Sequence, residues 1–308
     1  MSIVAVWCVL GGSPAWAACQ MIMPGDAGGE TDTIIFKGCN IKINNGTGST
    51  ATVNGLGNLV VGYNAVNTTP GFPSAKTGSH NVVVGDEHSY TSYGGVVTGY
   101  QNAVAGPNAN VLGGRLNRAT GPYANVTGGQ YGQAIGGSSM VLGGWDNQAQ
   151  TNFTTVAGGY LNVATSANPA DPFSTSYSIV TGGWSNQASG FCSVVSGGYE
   201  NSAQSGYSVV SGGLANQTAG FGSVVSGGSG NWASADQAVV SGGQNNTASA
   251  PRSVVSGGQD NTASATSAVV SGGAGNTASG VSSVVSGGAL GSVGGEFDWR
   301  AGSLFEPD

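Results

Sequence analysis

Charge is what this sequence has least of. Only 7% of its 308 residues are Asp, Glu, Lys or Arg, seven bases stand against 14 acids, and the net charge is −7. So few scattered cations form no basic patch, which argues against nucleic-acid binding. His is scarcer still: the two are His80 and His88, with Asp86 and Glu87 beside the second. A metal site there is the sharper reading and a polar cluster at a rung edge the plainer one. No G-x-S-x-G elbow occurs, carboxylates do not recur in pairs, and no Asp-rich nonapeptides suggest a calcium roll. The expectation is therefore no enzyme, with no catalytic residue, metal or cofactor. No apolar run approaches a membrane span in length, so no membrane insertion is expected.

Cys is also sparse, with four in the chain. Cys8 lies in residues 1–17, which read as a signal peptide. There Ile3 to Leu10 form an apolar core and Ala15-Trp16-Ala17 fits a small-x-small cleavage site, although a positive n-region is missing. A short buried strand or helix is the alternative. Cys19 and Cys39 flank a small N-terminal region and could pair as a disulfide in an oxidising compartment. Cys192 has no partner in sequence reach and reads as a small residue at a rung edge.

What the chain has in excess is Gly, 57 residues of it, and a fixed period. Ser193-Val194-Val195-Ser196-Gly197-Gly198 returns every fifteen residues up to Ser283-Val284-Val285-Ser286-Gly287-Gly288. A short strict period marks a solenoid in which each repeat is one rung. Disorder would not hold two Val residues in phase for so long. Traced by the Gly after the apolar pair (62, 85, 99, 113, 128, 143, 158, 182, then every fifteenth residue from 197 to 287), the chain has about fifteen rungs. The early intervals are fourteen residues and the later ones fifteen, so the extra residue reads as a Gly added at a corner, in the manner of a bulge. Two intervals are nine residues longer and carry Pro70 with Pro73 and Pro169 with Pro172; they read as insert loops at about 65–77 and 165–176.

These observations divide the chain into a signal peptide (1–17), an N-terminal cap with strands (18–58, including Thr33 to Ile43), β-roll repeats (59–288) and a C-terminal cap or docking tail (289–308). Within a rung, Ser-Val-Val-Ser is a β-branched strand whose neighbouring side chains face opposite ways. A slender coil hides one Val of each pair. The second row calls for a partner, and three copies around one axis would supply it. An Asn four residues after the first Gly recurs from Asn117 to Asn276, which suggests stacked amide ladders or left-handed corners. Trp145, Tyr160, Trp184 and Tyr199 occupy one repeat position in consecutive rungs and form a candidate ligand-binding row for sugars or a neighbouring rod. Phe297, Trp299, Leu304 and Phe305 are candidate assembly residues that either cap the last rung or dock on another copy, end to end in a filament.

The rung Val96-Val97-Thr98-Gly99-Tyr100-Gln101-Asn102-Ala103-Val104-Ala105-Gly106 resembles the head repeat of trimeric autotransporter adhesins, the YadA-type β-roll. The resemblance covers about residues 59–288; the extra Gly and regular Asn of later rungs depart from it. It implies a homotrimeric, secreted roll. The heptads of that family's stalk and the strands of its membrane anchor are not found here, so surface attachment by autotransport does not carry over. The repeats also look like other secreted Ser-Val-Val-Ser-Gly-Gly proteins of unknown role. The fold expectation is all-β: a parallel β-solenoid or β-roll of 14–15-residue rungs, intertwined or packed as a homotrimer. The functional expectation is a secreted structural protein, the subunit of an extracellular fibre or cell-surface coat with an adhesive role and itself as partner. The alternative is a glycan-binding, lectin-like module gripping a surface glycan of a host or neighbouring cell. An ice-binding solenoid fits less well, since Thr247, Thr262 and Thr277 form a single row.

Overall fold

The structure, a computed structural model, describes residues 20–22, 33–38, 40–166, 176–302 and 304–306. The signal segment, Cys19, Cys39 and residues 167–175 of the second insert lie outside these. The chain forms two units, Met1–Ile43 and Asn44–Asp308. In the first, strand Gln20–Ile22 pairs antiparallel with Ile35–Lys37. The strand expected across Thr33 to Ile43 is thus shorter, and Ile41 and Ile43 lie exposed in irregular chain.

The second unit is a parallel β-solenoid of about fourteen turns, and no helix occurs among the described residues. Two strands alternate along the chain. The Val-bearing strands, from Leu59–Val61 to Trp299–Ala301, stack parallel into one sheet. The Ala-bearing strands, from Ser89–Tyr90 to Ser292–Val293, stack into a facing sheet of fourteen. Register is strict: Val194 pairs with Val209 and Ala188 with Ala203. The Gly count stops one strand short, because Trp299–Ala301 continues the Val sheet beyond residue 288. There Arg300 stands where Val285 stands one rung below, so the repeat vanishes from the sequence while the backbone goes on. Leu304–Glu306 then folds back antiparallel on that last strand.

One rung shows how the side chains sort. Val195 points inward and is fully buried, while Val194 faces out and is half-buried. Across the narrow interior stands Ala203, also fully buried. The stacked Val side chains from Val83 to Val285 and the opposing Ala row make one continuous core. Inner Ser residues close a corner: the hydroxyl of Ser208 donates to the Ser205 carbonyl at 2.7 Å, and Ser223 does the same to Gly220. Thr218 replaces the core Ala between Ala203 and Ala233, and its buried hydroxyl has no partner.

The extra residue of the longer rungs is the first Gly of the pair. Val97 pairs with Val111, fourteen residues on, but Tyr100 bridges to Arg115, fifteen on. The five-residue strand Val96–Tyr100 accordingly gives way to two-residue strands such as Asn110–Val111. The second Gly has a stricter task. Gly213 sits at φ +93°, and an added Cβ would stand 2.2 Å from the Gly228 carbonyl oxygen. Its neighbour Gly212 meets nothing closer than 4.0 Å, so at φ +147° an added Cβ there brings backbone strain without a clash. Gly213→Ala is expected to cost about 2–5 kcal/mol, from backbone strain plus overpacking, and Gly212→Ala clearly less. Denaturant titration followed by circular dichroism checks this. Thr218→Val, which removes the unpartnered hydroxyl at constant shape, is expected to stabilise by about 1–3 kcal/mol in the same assay.

Candidate functional site: buried ladder and aromatic edges

Each rung turns two corners outside the Gly pair, and both use the left-handed backbone region. Glu200 (φ +56°) and Tyr207 (φ +56°) are the examples in one rung. Most rung N–H groups donate to the following rung, as Tyr199 does to the Gly213 carbonyl at 2.9 Å. The left-handed residues point theirs the other way: Glu200 donates to Trp184 and Tyr207 to Phe191, both in the preceding rung. That bond offsets the roughly 1–2 kcal/mol of steric cost to a non-Gly residue. Residue types at these corners vary from Leu116 to Cys192 to Arg252, so nothing in the sequence marks them.

The Asn after the first of these corners is buried in nearly every rung. The Nδ2 of Asn201 donates to the carbonyls of Gly197 (2.8 Å) and Gly213 (2.9 Å), and its Oδ1 accepts the backbone N–H of Asn216 (2.9 Å). The same set repeats from Asn147 to Asn276. The ladder therefore joins side chains mainly to backbone, with an amide-to-amide contact within it where Asn186 Nδ2 donates to Asn162 Oδ1 at 3.2 Å, and the left-handed residue is the one before the Asn. An amide-to-amide contact also occurs on the outer face, where Asn110 Nδ2 donates to Asn125 Oδ1 at 2.9 Å.

His88 is a member of this ladder. Its Nδ1 faces the Asn102 N–H at 3.2 Å and its Nε2 the Val84 carbonyl at 3.0 Å, the places that Oδ1 and Nδ2 take in an Asn rung. These partners require a neutral ring protonated on Nε2. Burial lowers its pKa below the usual 6.5, against smaller opposing effects of backbone hydrogen bonds and of Asp86. His80 sits apart, its Nε2 accepting the Asn45 N–H at 3.1 Å. Among the described residues no group of three His, Cys, Asp or Glu could hold a metal ion.

The Trp145 row is a physical ladder. Trp145 stacks on Tyr160 (centroids 6.4 Å apart), Tyr160 meets Trp184 edge-on at 5.2 Å, and Trp184 meets Tyr199 at 5.3 Å. Tyr131 joins from the neighbouring position at 5.5 Å. The four rings are 39–50% exposed. A second row runs along the other corner: Phe153, Tyr177, Phe191, Tyr207 and Phe221, at spacings of 5.0–6.0 Å. Sequence reasoning missed it because its members alternate between two adjacent repeat positions, so neither column is aromatic throughout. Reading pairs of columns together would have found it. Cys192 occupies one non-aromatic place in those columns, half-buried at φ +54°.

The candidate assembly residues lie in the closing turn. Phe297 is an exposed left-handed corner, and Trp299 Nε1 donates to Ser286 Oγ at 2.7 Å. Leu304 and Phe305 belong to the returning strand. The first insert folds back onto the roll. The Arg118 guanidinium lies 4.4 Å over the Phe72 ring and donates to the Gly71 carbonyl, while Gln101 bridges Thr69 and Glu87. Glu87 also accepts the Tyr100 hydroxyl, and that bond raises the Tyr100 pKa above its ordinary value.

In comparisons with known proteins, no family model matches the chain, and no curated protein sequence does either.

The His88 geometry has a pH consequence. The folded state holds this proton less tightly than the unfolded chain, so its contribution is complete above pH 6.5 and is lost as pH falls from there through the lowered folded value. His88→Asn, which supplies both ladder contacts without a titrating group, is expected to flatten stability between pH 7 and pH 5. Thermal melts of the two proteins across that interval check it.

Proposed function

We propose that this β-solenoid repeat protein is a secreted structural protein whose roll associates as a homotrimer, serving as the subunit of an extracellular fibre or surface coat with an adhesive role. The observation that carries the reading is the outer apolar row. From Ile179 through Val194 and Val209 to Val284, eight consecutive rungs present a β-branched side chain on the outer face of the Val sheet. All stay partly open to solvent, and Ile179 is 40% exposed. The sheet's own backbone hydrogen bonds are satisfied within the stack, so this face offers the apolar row and, beside it, the exposed hydroxyl row from Ser196 to Ser271. Self-association around a three-fold axis would cover it with identical area from two other copies. The aromatic edges flank this face without interrupting it, and they support the adhesive part of the reading as surfaces for a neighbouring rod or a glycan.

Light scattering coupled to size-exclusion chromatography tests the proposal. The wild-type protein is expected at three times the chain mass. Val224→Asp combined with Val254→Asp, both outward-facing, is expected to give monomers with unchanged far-ultraviolet circular dichroism. A wild-type monomer would remove the trimer, and a trimer that survives both substitutions would move its interface elsewhere.

A further inference from the structure

The second aromatic row has a gap with a definite shape. Its corner position holds Tyr123 in one rung, Ser138 in the next and Phe153 in the one after. With rungs about 4.8 Å apart, the two rings stand about 9–10 Å apart across a missing third. Gly137 and Ser138 form the floor of the slot, and it is a fixed floor, because the Gly137 N–H donates to Asn152 Oδ1 at 2.6 Å. The opening is a cavity of about 330 Å³ that Ile135 and Thr120 also line. Thr120 is shared with a second cavity of about 390 Å³, beneath the tip of the first insert. Its floor is the outer face of the Ala sheet, where Ser89 and Ala103 stand in the row that later carries Gln133 and Gln148. Arg118 and Phe72 form its wall. No carboxylate is among its lining residues, and the buried Arg118 Nε has no partner. In a chain of net charge −7, a cation is thus set against small, largely apolar surface.

We propose that the slot and the adjoining cavity form one binding groove for an acidic oligosaccharide. One pyranose ring lies between Tyr123 and Phe153, with its C–H faces on the two rings. A uronate carboxylate meets the Arg118 guanidinium as a charge-assisted pair. Ser138 Oγ and the Asn152 amide reach the hydroxyl edge of the sandwiched sugar. A peptide strand suits the groove less well. The sheet N–H groups beneath it are already used between rungs, as in Thr120 to Ala134 at 2.8 Å and Ile135 to Ala149 at 2.8 Å. A bound peptide backbone would have no ladder to join, whereas a sugar carries its polar groups on its rim and stacks by its faces. The slot and Arg118 lie at rungs whose outer Val-sheet positions are Asn110, Asn125, Met140 and Thr155, before the apolar row that begins at Ile179, so the groove stands whether or not the roll is a trimer. It deepens the adhesive reading by naming a ligand class.

The test is calorimetric titration of the full chain with tri- and tetragalacturonate, their methyl esters, and a neutral oligosaccharide of equal length. Saturable binding of the free acids is expected, weakened about tenfold or more by esterification or by Arg118→Gln. Ser138→Tyr places at this corner the residue that Tyr123 and Tyr207 already supply elsewhere. It is expected to fill the slot and abolish binding without lowering the melting temperature, which separates loss of the site from loss of the insert's anchor at Arg118. The proposal is overturned if none of these saccharides binds at millimolar concentration, if esters and acids bind alike, or if Ser138→Tyr binds as the wild type does. Light scattering of the same samples reports the oligomeric state separately.

Discussion

The buried Asn side chain is the contact on which the roll depends. A coil this thin must turn sharply after two residues of strand, and every turn strands backbone carbonyls at the edge of the core. One carboxamide meets the demand at three points: two glycyl carbonyls, one in its own rung and one in the next, and the N–H of the Asn above. Each such bond contributes about 0.5–1.5 kcal/mol net, but leaving a buried group unpaired costs more. The ladder matters chiefly because it answers the corner carbonyls in nearly every rung, the position being Gly only at Gly132 and Gly291. His88 fits the same pattern with different atoms, so a side chain other than Asn can offer one acceptor and one donor at this spacing, while Gly132 and Gly291 offer neither.

From that constraint the second Gly follows. The carbonyl of the next rung passes so close that a methyl group would overlap it, and the Asn amide approaches from the other side. The first Gly is a spacer; its presence turns a five-residue strand into a short strand and a bulge. Core volume is set by the same narrowness. Two sheets held this close admit Val on one side and little more than Ala on the other.

Because the backbone satisfies itself between rungs, the outward side chains are released from the fold and can vary. The outer face of the Val sheet changes from Asn110 and Asn125 to an unbroken apolar row beyond Ile179. The corners collect aromatic rings, which meet one another from rung to rung along the two edges. The last strand breaks the core rule. Arg300 takes an inner Val position, its Nε bound to the Gly302 carbonyl at 3.0 Å, and the chain doubles back over it.

The parallel solenoid, its period, the inward Val and the Trp145 row were legible in the order of residues, because strict repetition turns sequence distance into vertical stacking. The role of Asn was only half legible. Its spacing announced a buried row, but whether amides would meet each other or the backbone depends on the distance between rungs and carbonyls. The left-handed corners were invisible, since Leu116, Glu200 and Arg252 share no chemistry. What they share is the direction in which their N–H must point. The second aromatic row and its gap at Ser138 also belong to the tertiary structure, for two adjacent repeat positions converge on one edge only after the chain has turned the corner.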